Sequence, residues 1–455
     1  MERARFIIIG ITDHPAPWFQ PEVLDVIRHG KIFSGGKRHH DIVASLLPEG
    51  AEWIDITVPL DTVFEAYHRA AHFSEGAPIV VFASGDPLFF GFANTIKRKM
   101  PDAEIVVYPT FNSLQLLAHR LVMPYHDMRI VSLTGRPWPE FDRALIERAE
   151  KIGILTDKEH TPAAIAQRML EYGYRDYIMH IGEHLGNPQQ EKVSTLTLEE
   201  ASQREFTMPN CVILCGKTAE HTRTFGIPDA SFSLLDGREK MITKMPIRLL
   251  TLQALDLPHR HVLWDIGACT GSISIEARLL FPHLQIEAFE IRPECEAIIQ
   301  ENARRFGAPG INIHIGDFLD ATTPATTPAT TPATTPATTP ATTPATTPIV
   351  STMGSPMGSP MGSPMSSPMS SPDAVFIGGH GGHLKEIMEK VLTVLTDDGI
   401  IVFNSVTSPK VPTNSRALWD EACQDLGLQQ GRPLHIQLND YNPIEILTAF
   451  KSNKL

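Results

Sequence analysis

Asp265-Ile-Gly267-Ala268-Cys269-Thr270-Gly271 reads as a strand passing into a helix through a glycine turn. Such a turn brings bare backbone N–H groups up to a ligand at the helix N-terminus. Glu290 closes the next apolar run, 25 residues after Asp265, where a carboxylate can accept both hydroxyls of a ribose. Asp317, in Ile-Gly316-Asp317-Phe318, closes a third run, where an adenine would lie, and Asp373-Ala-Val-Phe-Ile-Gly378-Gly379 supplies a fourth strand end. Singly, a glycine turn is usually only a turn, and acids at strand ends are mostly solvated. Four strand ends in this order on one edge of a parallel sheet describe a nucleoside pocket at a topological switch point.

The glycine spacing selects among nucleosides. A dinucleotide turn needs Gly-x-Gly-x-x-Gly, and glycines at 267 and 271 with Cys269 between them do not supply it. The Asp-x-Gly-x-Gly-x-Gly turn typical of S-adenosylmethionine enzymes is met with one departure, Cys269 in place of the middle glycine. Other clusters carry less. His380-x-x-His383 has no third ligand in its motif, and glycines at 378, 379, 381 and 382 suit a backbone-approach loop, so no metal is expected. Cys211-x-x-x-Cys215 has the wrong spacing for a redox pair and alternates with apolar residues, which reads as buried thiols on a strand. Lys37-Arg38-His39-His40 follows a strand and a Gly-Gly turn and is either a carboxylate-recognition segment or a solvated basic loop. Asp86 in Gly85-Asp86-Pro87 either shapes backbone amides for a cofactor or makes a plain Asp-Pro turn, and Arg136 is equally a substrate ligand or a surface arginine.

The elements that must position these residues alternate. Short apolar runs at Arg5–Ile9, Pro78–Ala83, Glu104–Tyr108, Arg129–Leu133, Ile152–Leu155, Tyr177–Ile181 and Cys211–Cys215 predict strands, with helices at Asn112–Val122 and Pro162–Tyr172. After a polar stretch, helix Pro246–Leu255 leads to strands His261–Ile266, Gln285–Glu290, Ile311–Ile315, Ala374–Ile377 and Gly399–Asn404. Helices at Ser272–Phe281, Pro293–Phe306, Gly382–Leu395 and Asn414–Leu426 are interleaved with them, and Arg432–Leu438 and Ile444–Phe450 close the chain as an edge hairpin. Alternation of this kind predicts an α/β fold with parallel sheets in two domains, 1–216 and 241–455, joined by a linker at 217–240. Residues 321–372, seven ATTP repeats followed by MGSP- and MSSP-type tetrapeptides, cannot bury a continuous apolar face and predict a disordered, extended insertion.

The chain has 455 residues, 42 % of them hydrophobic, so a fully disordered chain is excluded. A net charge of −13 argues against a nucleic-acid protein held by phosphate contacts, though a pocket can be locally basic. Five scattered cysteines suit reduced thiols, and no apolar run approaches the ~20 residues that cross a bilayer. A cytoplasmic, membrane-free homo-oligomer is expected.

Taken together, Met241-Ile-Thr243-Lys244-Met-Pro-Ile-Arg248, the 265–271 turn, Glu290, Gly316-Asp317 and the segment Asp373–Leu384 resemble the carbon-15 methyltransferase/decarboxylase family of cobalamin biosynthesis. The first half is similar to the tetrapyrrole methyltransferases through Gly35–His39, Ser84–Gly91, Asn112–Leu116, Ser132–Arg136 and Gly182–Gly186. The resemblance covers nearly all of the chain outside 321–372. It implies a two-lobed tetrapyrrole methyltransferase-like α/β domain, then a Rossmann-like class I methyltransferase domain. It further implies methylation of precorrin-6Y at carbons 5 and 15 by two S-adenosylmethionines, with decarboxylation of the ring-C acetate, giving precorrin-8X. Implied cofactor residues are Gly10, Gly85, Asp86 and Ser113 in the first half, and Thr243, Gly267, Ala268, Cys269, Thr270, Gly271, Glu290 and Asp317 in the second. Lys37, Arg38, Arg136, Lys244 and Arg248 are the implied ligands of the substrate carboxylates. No catalytic nucleophile is assigned, because the macrocycle is its own electron sink and the protein supplies positioning. Two other functions stay open at this level: a nicotinamide oxidoreductase, and a non-catalytic scaffold whose Thr/Pro tract docks a partner.

Overall fold

A computed structural model describes residues 3–73, 77–217, 225–321, 369–406, 415–438 and 442–451. Most of the predicted insertion (322–368), part of the predicted linker (218–224) and the tip of the predicted hairpin (439–441) lie outside them. Contacts divide the chain into two units: Met1–Phe225 with Arg278–His283 and Gln300–Gly310, and Gly226–Ala277 with Leu284–Ile299 and Ile311–Leu455.

The first unit contains two sheets. Strands β1 (Arg5–Ile11), β2 (Ile32–Gly35), β3 (Glu52–Asp55), β4 (Ile79–Ser84) and β5 (Glu104–Tyr108) lie in the order β3-β2-β4-β1-β5. All four pairings are parallel. Both faces are covered: Ile79, Val81 and Ala83 of β4 pack into one core cluster, and Val80 and Phe82 into another. That is why the strand reads as a continuous apolar run rather than an alternating one.

Strands β6 (Arg129–Ser132), β7 (Lys151–Leu155), β8 (Tyr177–Glu183), β9 (Lys192–Thr197) and β10 (Asn210–Gly216) form the second sheet, in the order β6-β7-β10-β8-β9. Here the expectation of parallel pairing is corrected: only β6 and β7 are parallel, and β10 and β9 run antiparallel to their neighbours. The short loop between β8 and β9 cannot hold the crossover of about a dozen residues that a parallel pair needs. Cys211 on β10 is buried and Cys215 partly so.

In the second unit, β11 (Val262–Ile266), β12 (Gln285–Glu290), β13 (Ile311–Ile315), β14 (Ala374–Ile377) and β15 (Ile400–Val406) are parallel, in the order β13-β12-β11-β14-β15. The short strands β16 (Leu428–Gln430) and β17 (Leu434–Ile436) both pair antiparallel with β18 (Ile444–Lys451), which itself runs antiparallel to β15. The chain builds outward from β11 through β12 to β13, then restarts on the opposite side with β14. The switch point between β11 and β14 leaves a crevice at their carboxyl ends. Trp264, Val375, Ile377, Val391 and Trp419 form the core beneath it.

Candidate functional site

A cavity of about 1020 Å³ opens at that switch point. It is lined by Thr243, Lys244, Gly267–Thr270, Glu290, Arg292, Asp317 and Gly378–Gly381, so most of the residues predicted for the second half meet in one place. The 265–271 turn is tied to the end of β12: the N–H groups of Gly267 and Ala268 both donate to Phe289 O, at 2.9 and 3.0 Å. Gly267 has φ +80°, and a Cβ there would come within 2.7 Å of Gly379 N, so only glycine lets the two loops touch. Cys269, at the position usually held by glycine, adopts φ +52°. Its side chain packs with Ala268, Ala288, Cys295 and Ile299, and burial pushes its thiol pKa up. A left-handed non-glycine residue costs roughly 1–2 kcal/mol, which the turn bears for this packing.

Asp265 holds the start of the following helix, accepting from Ser274 Oγ at 2.6 Å and Ser274 N at 3.2 Å. Burial raises its pKa to about 6 against the lowering effect of those bonds. Glu290 is 2 % exposed. Its Oε2 accepts from Cys269 N at 2.8 Å and Arg292 Nη2 at 3.1 Å, and its Oε1 from Arg292 Nε at 2.8 Å. Burial opposes ionisation of Glu290, but Arg292 and the backbone donors outweigh it and hold its pKa below the usual range. Arg292 was not anticipated; its signal is only its place two residues after the strand-end acid. Asp317 is exposed on the cavity rim, its Oδ1 accepting from Leu319 N at 2.9 Å. Lys244 donates from Nζ to Glu239 O at 2.9 Å.

Arg248 is a correction. The resemblance implied a ligand for substrate carboxylates, but its side chain is fully buried. Nε donates to Glu276 Oε2 at 2.7 Å, Nη1 to Thr243 O at 2.7 Å and to Asp229 Oδ1 at 3.2 Å, and Nη2 to Ile227 O. A guanidinium with all three nitrogens engaged inside the protein is a structural tie.

In the first unit, Gly10, Gly85 and the residues before Ser113 converge. A Cβ on Gly10 would lie 2.0 Å from Gly85 O and 2.9 Å from Thr110 N, and one on Gly85 would lie 2.9 Å from Asn112 Cα. Asn112 caps helix Ser113–Arg120, its side chain accepting from Gln115 N at 2.9 Å. Asp86 spends Oδ1 on Leu88 N at 2.9 Å, an Asx turn.

Lys37-Arg38-His39-His40 opens helix Lys37–Val43 rather than lying in a loop. Lys37 is exposed. Arg38 bridges Asp13 Oδ1 (2.5 Å) and Ser84 Oγ (2.7 Å), and His39 Nε2 lies 2.9 Å from the same hydroxyl. Burial, then the Arg38 charge, lowers the His39 pKa to about 4. Arg136 is exposed, donates to Ser132 Oγ at 2.6 Å and lies over the Phe90 ring at 5.2 Å. Among the described residues, no group of three or more His, Cys, Asp or Glu side chains could hold a metal, and no helix is long and apolar enough to cross a membrane.

Comparison with known proteins adds the following. Residues 21–202 match the family model for tetrapyrrole (corrin/porphyrin) methylases, and residues 236–334 match the model for the precorrin methyltransferase domain. A precorrin-6Y C(5,15)-methyltransferase [decarboxylating] of Sinorhizobium sp is 29 % identical over 403 residues, 88 % of this chain and 84 % of that one. Two Salmonella typhimurium proteins match separately. The cobalt-precorrin-7 C(5)-methyltransferase is 28 % identical over 46 % of this chain and 97 % of its own length. The cobalt-precorrin-6B C(15)-methyltransferase (decarboxylating) is 42 % identical over 18 % of this chain and 43 % of its own.

Proposed function

We propose that this chain, which belongs to the tetrapyrrole and precorrin methyltransferases, is a bifunctional enzyme of cobalamin biosynthesis. It methylates precorrin-6Y at carbons 5 and 15 with two S-adenosylmethionines and decarboxylates the ring-C acetate. The observation that carries this reading is one chain aligned with 84 % of a relative named for both methylations and the decarboxylation. The nicotinamide and scaffold readings find no support in these matches.

S-Adenosylmethionine supplies an electrophilic methyl group. The residues present fit it in the second half: a cavity of about 1020 Å³ lined by the 267–270 turn, and a buried acid at the end of β12. Gly267–Gly271 would hold the cofactor by backbone groups, Glu290 would accept from its ribose hydroxyls while Arg292 keeps the acid ionised, and Thr243 and Asp317 would flank it. Gly10, Gly85 and Ser113 are the corresponding proposals in the first half, with Asp86 holding the turn beside them. Lys37, Arg38, Arg136 and Lys244 are proposed for substrate carboxylates, and the rest of the rate enhancement is positioning in a water-poor cleft. A cytoplasmic, self-associating enzyme completes the proposal, read by fractionation and sedimentation.

The test incubates the purified chain with precorrin-6Y and methyl-labelled cofactor and reads product mass. The expected product has gained two methyl groups and lost one carbon dioxide. No methyl uptake from authentic substrate refutes the reading.

A further inference from the structure

The loop that follows β8 carries an imidazole unused by any role described above. His184 adopts φ +48°, a conformation that side-chain-bearing residues rarely take. Its Nδ1 lies 2.9 Å from Asp13 Oδ2. Asp13 is 9 % exposed, and its other oxygen takes the Arg38 guanidinium. A carboxylate only accepts, so in the neutral imidazole Nδ1 carries the hydrogen and Nε2 has the lone pair. Among the described residues Nε2 has no hydrogen-bond partner.

The loop is pressed against the end of β1: a Cβ on Gly186 would meet Thr12 Cβ at 3.1 Å. The same strand end forms the glycine crevice, where Gly85 N donates to Ile11 O at 2.8 Å and Ser84, bonded to Arg38, immediately precedes Gly85. An acceptor nitrogen, oriented by a buried acid, therefore stands beside the candidate methyl-transfer crevice of the first unit.

We propose that His184, oriented by Asp13, is the proton acceptor for methyl transfer in the first half; this rests on the methyltransferase reading above. Replacing hydrogen by methyl on a trigonal ring carbon releases one proton. The carbon–carbon bond forms from a ring π pair, and the sulfur–methyl bond breaks with its pair returning to sulfur. The C–H bond then breaks, its pair restores conjugation, and the proton passes to His184 Nε2 and on to water. Among the described residues, the following charged and titratable groups are linked to the imidazole. Asp13 faces it directly. Arg38 reaches it through Asp13, and His39 through Ser84. Burial and Arg38 keep His39 neutral down to about pH 4. On its own loop, Glu183 is taken by Thr207 and Lys192, and Glu191 by Arg120 and Gly186 N.

The test is His184→Asn in the full chain. Asn tolerates a left-handed backbone, and its amide can replace the Nδ1–H bond to Asp13, so only the Nε2 acceptor is lost. Methyl uptake at carbon 5 should fall on the order of 10²–10⁴-fold. Carbon-15 methylation, carbon dioxide release and S-adenosylhomocysteine stoichiometry should be unchanged. Carbon-5 uptake by the variant at the wild-type rate overturns the inference and leaves the proposed function standing, whereas no uptake by the wild type removes both. If the Asn variant does not fold, Asp13→Asn decides. It retains the imidazole but favours the wrong tautomer, so an undiminished carbon-5 kcat overturns the assignment; a depressed kcat at unchanged KM supports it, and a rise in KM alone, the sign of a displaced Arg38, overturns it.

Discussion

Arg248→Met separates a structural tie from a substrate ligand. The arginine is fully buried and donates to Glu276, Asp229, Thr243 O and Ile227 O. Methionine fills the aliphatic stem, so little cavity is created, but among the described residues Glu276 keeps as a donor only the Ile227 N–H at 3.1 Å, and its side chain is 3 % exposed. Removing one partner of a buried ion pair costs about 3–5 kcal/mol, chiefly because the other charge is stranded. Amide exchange in helix Met245–Ala254, read by mass spectrometry, should therefore accelerate on the order of 10²–10³-fold. Replacing Glu276 by Leu in the same chain should recover much of the loss, because no buried charge then remains unpaired. Unchanged exchange in this helix, together with a several-fold rise in KM for the precorrin, would refute the structural assignment and return Arg248 to the substrate site.

Three further expectations follow from the second unit. Glu290→Gln removes the carboxylate that binds Arg292 and Cys269 N. It should weaken S-adenosylhomocysteine binding there about ten- to a hundredfold and reduce the calorimetric stoichiometry from two toward one. Asp265 has its folded-state pKa raised to about 6 from 3.8, so its contribution to stability is fully present below pH 3.8 and is lost as pH rises through about 6. Asp265→Asn should accordingly gain on the wild type as pH rises from 5 to 7.5, by about 1.4 kcal/mol, and a pH-independent difference in unfolding midpoint would contradict this. Replacing 322–368 by a short Gly/Ser linker should leave both methylations at wild-type rate; a loss of carbon-15 turnover alone would give the tract a role beside Asp317.

How legible the fold was depended on burial. Glu104–Tyr108, Gln285–Glu290, Ile311–Ile315 and Ala374–Ile377 run over the residues predicted for them. Ala374–Ile377, a parallel strand covered on both faces, leaves an unbroken apolar run, whereas the buried Glu287 interrupts Gln285–Glu290. Lys192–Thr197, mostly exposed and polar, gave no such signal, and pairing direction in its sheet was invisible for the same reason. That the second-half candidates line one cavity was legible because several of them end successive strands, so chain order alone lines them up along one edge. The roles of individual charges were not. Arg248 looks the same in sequence whether it meets a substrate or Glu276, which lies 28 residues away and reaches it only through helix packing. His184 and Asp13 are 171 residues apart and become a pair only when the loop after β8 folds against the loop after β1. Periodicity and strand-end chemistry are local properties that the chain carries with it. Which cation is buried, and which imidazole is oriented, depends on contacts between residues far apart in sequence, and only the folded structure decides those.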